Sequence, residues 1–233
     1  IIAEERRECN RFLCVSAKKP KKYSDNGYYT GAKTYVVAKA KGTLTAKAIS
    51  AYYKSGKKLG IKLVNYKSKN PVSNQKVTIR VYITSKKYKT YYTTTNSKGY
   101  AYFNTDKLTK GKYTVYVYCS NSNIVATKIK TSIKVIKAKT TVSAPKVTNK
   151  YKKSSYFKVT LKHASTAKVL SGIYIKIRVY TGKSYKTYTV KTNINGIAQI
   201  NTKYLKRGTH KIVISSTSKY YTVSKSGYLI VIK

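Results

Sequence analysis

The chain is poor in acid. Five Asp and Glu stand against 50 Lys and Arg in 233 residues, a formal net charge of +45, and there are only two histidines. Acid–base catalysis is built from carboxylates and imidazoles, so hydrolytic chemistry finds little to work with and no enzyme activity is expected. Trp and Met are absent, and Gly (12), Pro (3) and Cys (3) are few, which excludes a collagen or a disulfide-rich scaffold. No apolar run reaches the ~18 residues that a membrane-spanning helix needs.

What is present argues for packed structure. Hydrophobic residues make up 41% and aromatics 12% of the chain, more than a disordered basic tail carries. The aromatics are nearly all Tyr, 26 against 3 Phe. The length fits one or two domains.

The chain repeats itself. Val77-Thr-Ile-Arg-Val-Tyr82 returns as Ile175-Lys-Ile-Arg-Val-Tyr180, an offset of 98 between Arg80 and Arg178. Tyr88-Lys-Thr-Tyr91 returns as Tyr185-Lys-Thr-Tyr188, and Leu108-Thr-Lys-Gly111 as Leu205-Lys-Arg-Gly208, both at 97. Two complete repeats are expected, 42–137 and 138–233. Tyr28-Tyr29-Thr30 resembles Tyr220-Tyr221-Thr222, and Lys39-Ala40-Lys41 resembles Lys137-Ala138-Lys139. Residues 23–41 therefore read as the closing strands of a preceding repeat, and the chain as a cut from a longer array. An irregular segment, 1–22, comes before them. Its first 17 residues hold three of the five acids, Glu4, Glu5 and Glu8, and read either as foreign to the fold or as an ordinary flexible terminus. No signal peptide is readable there.

Within each repeat, apolar residues alternate with polar ones, the pattern of half-buried strands. Residues 75–83 put Val77, Ile79, Val81 and Ile83 on one face, 112–118 put Tyr113, Val115 and Val117 there, and 129–136 put Ile129, Ile133 and Val135 there. The first repeat has seven such runs: 44–49, 59–64, 75–83, 87–94, 100–103, 112–119 and 128–136. Asn96-Ser-Lys-Gly99 and Asn193-Ile-Asn-Gly196 suit turns with Gly at positive φ, as do Lys110-Gly111 and Arg207-Gly208. The fold class is therefore all-β, with each repeat an immunoglobulin-like β-sandwich of about seven antiparallel strands. With no Trp, the Cys…Trp…Cys signature of antibody domains is missing.

Thr95-Asn96-Ser97-Lys98-Gly99-Tyr100-Ala101-Tyr102-Phe103 and Thr192-Asn193-Ile194-Asn195-Gly196-Ile197-Ala198-Gln199-Ile200, each followed by Leu-x-x-Gly, resemble a motif of tandem bacterial-type immunoglobulin-like repeats. These repeats occur in adhesin-like surface proteins of bacteria and methanogenic archaea. The resemblance implies a structural or adhesive module at the cell surface, outside the cell. The extreme Lys content departs from that family.

No catalytic, cofactor-binding or metal-ligating residue is assigned, and no cofactor is expected. His163 stands in the place of Asn65 and His210 in that of Tyr113, so neither recurs with partners; both read as ordinary polar residues. Asp106, matched by Lys203, reads as a solvated loop acid. Cys9 and Cys14 have neither a His nor further Cys nearby to complete a zinc site. Cys119 ends a strand and reads as a small buried thiol, although a disulfide from Cys9 or Cys14 to Cys119 stays open. A Lys–Asn isopeptide bond needs a buried acid, and only Asp106 lies within the repeats.

The Lys residues are spread along the strands with Tyr among them, as at Lys128, Lys130 and Lys134 beside Tyr82, Tyr88, Tyr91 and Tyr92. Three readings follow. A solvated, charge-clad face keeps edge strands apart and an array soluble. Lys and Tyr could grip anionic cell-wall or host polysaccharide. Basic residues with interleaved aromatics also suit nucleic acid, but Arg is scarce and no nucleic-acid module fits the repeat. The expected function is a stalk-like adhesive repeat that grips anionic glycan and packs on neighbouring repeats. A polycationic nucleic-acid or polyanion binder is the alternative.

Overall fold

Alternation of burial along the chain draws the strands. The computed structural model describes residues 39–120 and 123–232. The segment 1–22, most of 23–41, and Cys9 and Cys14 lie outside those residues. The first eight strands are β1 (Ala40–Thr45), β2 (Ile49–Tyr52), β3 (Lys58–Asn65), β4 (Lys76–Tyr82), β5 (Tyr88–Thr94), β6 (Tyr100–Asn104), β7 (Gly111–Ser120) and β8 (Ile124–Ile136). They are followed by β9 (Ala138–Ser143), β10 (Val147–Lys150), β11 (Tyr156–His163), β12 (Tyr174–Thr181), β13 (Ser184–Lys191), β14 (Ile197–Asn201), β15 (Gly208–Ser215), β16 (Tyr221–Thr222) and β17 (Ser224–Ile232). One 3-10 turn, Thr105–Lys107, is the only helical element among the described residues.

In β4, Val77, Ile79 and Val81 are buried while Thr78, Arg80 and Tyr82 are half-buried on the opposite face. Val and Ile favour this pleated geometry because their branched side chains pack well on it. Ile83 departs from the expected series and is 45% exposed. The N–H groups of Ile83 and Thr84 both donate to Lys87 O, so the chain is already turning. Ile129 is half-buried, whereas Ile133 and Val135 are fully inside.

The expected run 44–49 is two strands. β1 pairs antiparallel with β3 and parallel with β8 at Ile124–Ala126. β2 pairs in parallel with β8 much further along, at Ile133–Ile136. The exposed Lys47 and Ala48 mark the break. Parallel pairing also departs from the all-antiparallel expectation in β10 with β17 and in β16 with β9. Alternation reports which face a side chain takes and carries no signal for the direction of the neighbouring strand.

The chain packs as two compact units. One takes the described residues before Ile49 together with Gly60–Phe103 and Thr114–Ser132; the other takes Ile49–Leu59, Asn104–Tyr113 and the described residues from Ile133 onward. In the first, β5, β4, β7, β8, β1, β3 and β6 are neighbours in that order. The outermost strands of that order meet, because the Tyr91 ring of β5 lies 4.8 Å from the Phe103 ring of β6. The sheet thus folds back over its own core, where Leu63, Ile79 and Val117 are wholly buried.

In the second unit two sheets face each other, β10-β17-β15-β12-β13 and β14-β11-β9-β16. Phe157, Val159 and Leu161 of β11 meet Ile175, Ile177, Ile212 and Leu229 of the other sheet in one core. Each large side chain buried this way contributes about 1.5–3 kcal/mol.

The predicted turns form. Gly99 and Gly196 take φ of 74° and 72°. Asn96 Oδ1 accepts from the N–H groups of Lys98 and Tyr100, and Asn193 Oδ1 from those of Asn195 and Ile197. Gly208 also has positive φ, but Gly111 does not. Gly111 lies in β7, and a Cβ there would stand 3.4 Å from the Tyr113 ring.

Candidate functional site

The sequence-selected polar residues are structural rather than clustered. His163 is buried at the end of β11. Its Nδ1 accepts from Ser165 N–H at 3.2 Å, which leaves the proton on Nε2 to donate to Tyr53 O at 2.8 Å. His210 is buried in β15. Its Nδ1 lies 2.9 Å from Tyr180 O and its Nε2 2.8 Å from Lys206 O. Both imidazoles bind backbone, and they share no partner with each other or with Asp106.

Asp106 departs from a merely solvated acid. It is half-buried in the 3-10 turn. Its Oδ1 accepts from Gly56 N–H at 2.9 Å, its own N–H donates to Asn104 Oδ1, and its carbonyl accepts from Lys54 Nζ at 2.6 Å. Asp106 therefore pins the turn to the loop after β2. No group of three His, Cys, Asp or Glu comes together among the described residues. Cys9 and Cys14 lie outside the described residues; Cys119 is a free, buried thiol. Burial pushes its pKa up, and its S–H points at Lys76 O, 3.4 Å away.

Aromatic side chains make two further arrangements that were not read from sequence. In the second unit the Tyr53 ring stacks on Tyr220 at 4.5 Å and meets the edge of Tyr221 at 5.7 Å. Burial raises the pKa of both Tyr53 and Tyr221, and the neighbouring Tyr hydroxyl and Asp106 add to it.

In the first unit the outer face of β4, β5 and β7 is a lattice of rings and cations. The register sets Tyr88 opposite Tyr82, Tyr116 opposite Arg80 and Tyr118 opposite Thr78. The Arg80 guanidinium lies 4.9 Å from the Tyr88 ring centre and 5.2 Å from that of Tyr118. Tyr82 touches both Tyr88 and Tyr116, with centroids 5.0 and 5.4 Å apart. Lys128 Nζ sits 4.6 Å over Tyr116, and Lys76 Nζ 4.2 Å over Tyr92. Such contacts contribute about 0.5–1 kcal/mol each at exposed sites. Asp106 is the only acid among the described residues of the whole chain and belongs to the second unit, so no carboxylate of the first unit's described residues answers these cations.

The equivalent face of the second unit is simpler. Arg178 lies 5.0 Å from Tyr185, which meets Tyr180 at 5.1 Å. Val213 and Ser215 stand opposite Arg178 and Lys176, where the first unit has Tyr116 and Tyr118. Exposed lysines also occur on the opposite sheet, as at Lys158 and Lys162 of β11, so the charge is not confined to one face. The signal for the lattice was in the sequence: alternation puts Thr78, Arg80 and Tyr82 on one face. Which ring each cation covers needed the strand register.

The fold is thus an all-β chain of immunoglobulin-like sandwiches. No protein-family model and no curated protein sequence matches it. Among solved structures it is similar to the adhesin InvE of Yersinia pseudotuberculosis, at 17% identity over 82% of this chain and 59% of that one, with a TM-score of 0.39. It is similar to invasin, described as a bacterial integrin-binding protein, at 14% identity over 82% of this chain and 39% of that one, with a TM-score of 0.45. It is also similar to domains A168–A170 of titin, at 14% identity over 83% of this chain and 66% of that one, with a TM-score of 0.46. The match spans less than two thirds of both bacterial chains. No described helix is long and apolar enough to cross a membrane.

Proposed function

We propose that the chain is a structural and adhesive repeat segment of an adhesin-like protein at the cell surface, with repeats at 42–137 and 138–233. It acts as a stalk and grips anionic polysaccharide along its cationic sheet faces. No enzyme activity is proposed for it. The observation that carries this reading is the division of labour in the side chains. The buried His163 and His210 and the half-buried Asp106 are taken up by hydrogen bonds to backbone. The exposed charge is nearly all lysine, interleaved with Tyr, and Asp106 is the one acid among the described residues. Such a surface keeps an extended array soluble and attracts polyanions at range.

Protease shaving of intact producing cells tests the location. Release of peptides from 42–233 without lysis is the expected result. Protection until lysis overturns the surface reading and turns the polycationic faces toward nucleic acid.

A further inference from the structure

We infer that the outer face of β4, β5 and β7 in the first unit is a binding site for an extended acidic polysaccharide, with Arg80 as its anchor, and that the corresponding face of the second unit is not. This rests on the proposal that the chain grips anionic glycan, and it assigns that grip to one place.

Arg80 is held for this role. It lies between the Tyr88 and Tyr118 rings; its buried Nε meets no acceptor, as is also true of Arg178, so the second ring is what sets Arg80 apart. Ring packing, not an internal counter-ion, positions the guanidinium. A planar guanidinium offers paired donors that match carboxylate and sulfate groups. Fixing the side chain beforehand lowers the ordering cost of binding. Lys128, exposed and set over Tyr116, adds a second positive centre on the same face.

The same packing decides between polyanions. Single-stranded nucleic acid is gripped by bases stacking on open ring faces. Here Arg80 covers Tyr88 and Tyr118, Lys128 covers Tyr116 and Lys76 covers Tyr92. A DNA duplex is read by an element that enters its groove, and this face is made of neighbouring strands of one larger sheet. Carboxylates or sulfates spaced along a flexible chain need neither feature. In the second unit Val213 and Ser215 replace the two tyrosines of β7, so Arg178 is packed against one ring instead of two.

The test is binding of the full chain to polygalacturonate and heparin, with single-stranded and duplex DNA and neutral dextran alongside, each titrated with salt. Melting curves of every variant report folding. R80Q should weaken polysaccharide binding about tenfold, the scale of one lost charge-assisted hydrogen-bond pair. R178Q should change it less than about twofold. If R80Q melts early, K128Q at an exposed position carries the same test, with a loss of about threefold expected from one screened charge. Unchanged binding in both R80Q and K128Q, or an equal loss in R178Q, overturns the assigned face while glycan binding itself stands. Tighter binding of either DNA than of both polysaccharides overturns the ligand class. Failure of the unaltered chain to bind either acidic polysaccharide removes the underlying glycan reading.

Discussion

Tyr113 and His210 close the same corner of their repeats with different chemistry. The Tyr113 hydroxyl donates to Thr109 O at 2.9 Å, and His210 Nε2 lies 2.8 Å from Lys206 O. In both cases the carbonyl is four residues upstream, at the entry to an inner strand. The imidazole reaches a second carbonyl, Tyr180 O, through Nδ1. The repeat has thus kept a corner bond while the side chain that makes it changed.

Removing that bond should cost unequal amounts in the two repeats. Tyr113→Phe should destabilise by about 1 kcal/mol, the net value of one hydrogen bond. His210→Phe should cost more, because the buried ring loses polar partners at both nitrogens, Tyr180 O and Thr181 Oγ1 at Nδ1 and Lys206 O at Nε2, and His210→Tyr should recover part of the loss through Lys206 O. Urea unfolding of the three variants measures this. A neutral His210→Phe would mean the corner contributes nothing.

Gly99 and Gly56 separate two costs of a side chain. Both have φ of 74°. A Cβ at Gly99 would lie 2.5 Å from Leu63 O, whereas one at Gly56 meets nothing within 4 Å. Gly56→Ala should cost about 1 kcal/mol for the left-handed backbone alone. Gly99→Ala should cost roughly 2–3 kcal/mol, because strain is joined by a clash with backbone. Equal melting temperatures for the two variants would contradict the turn packing described here.

The Tyr53–Tyr221 contact should make stability fall in alkali. Both hydroxyls have folded pKa values above the ordinary 10.0, chiefly from burial. Below about pH 10 both states keep the proton and stability is unaffected. Above it the unfolded chain ionises first, so the unfolded state gains. The difference in urea midpoint between the unaltered chain and Tyr53→Phe should be flat up to about pH 9 and then move against the unaltered chain. Lysine titration is common to both chains and cancels in the difference. A flat difference through pH 11 would remove the burial effect.

Cys119 should be silent until the fold opens. Its raised pKa and its position inside β7 leave little thiolate at the surface, and the thiolate is the reactive form. Iodoacetamide at pH 8 followed by peptide mapping should leave Cys119 unmodified in native protein and alkylate it in guanidinium. Rapid native labelling would place the thiol outside the core.

Much of this architecture was legible in the sequence. Val77, Ile79 and Val81 announced β4 and its buried face, and the offset between Gly99 and Gly196 announced two equal turns. The run 44–49 misled, because the exposed Lys47 and Ala48 carry no sign that β1 and β2 use different stretches of β8. Ile83 misled because alternation does not say where a strand stops. The Arg80 lattice stayed hidden for a different reason. Lysine and tyrosine are so frequent here that their co-occurrence singles out no face until Tyr116 and Tyr118 are set beside Arg80 and Thr78 by the register.

The parallel pairing of β2 with β8 and of β10 with β17 has a mechanical meaning. β2 runs beside the end of β8, and β10 runs beside β17, each pairing an earlier strand with one much later in the chain. Pulling the start of the earlier strand away from the end of the later one slides the two along one another in opposite senses. Their hydrogen bonds are then loaded together in shear, rather than opened one by one as in a peeled hairpin. Tension applied across such a pair therefore meets the whole row of bonds at once, as a latch rather than as a zip.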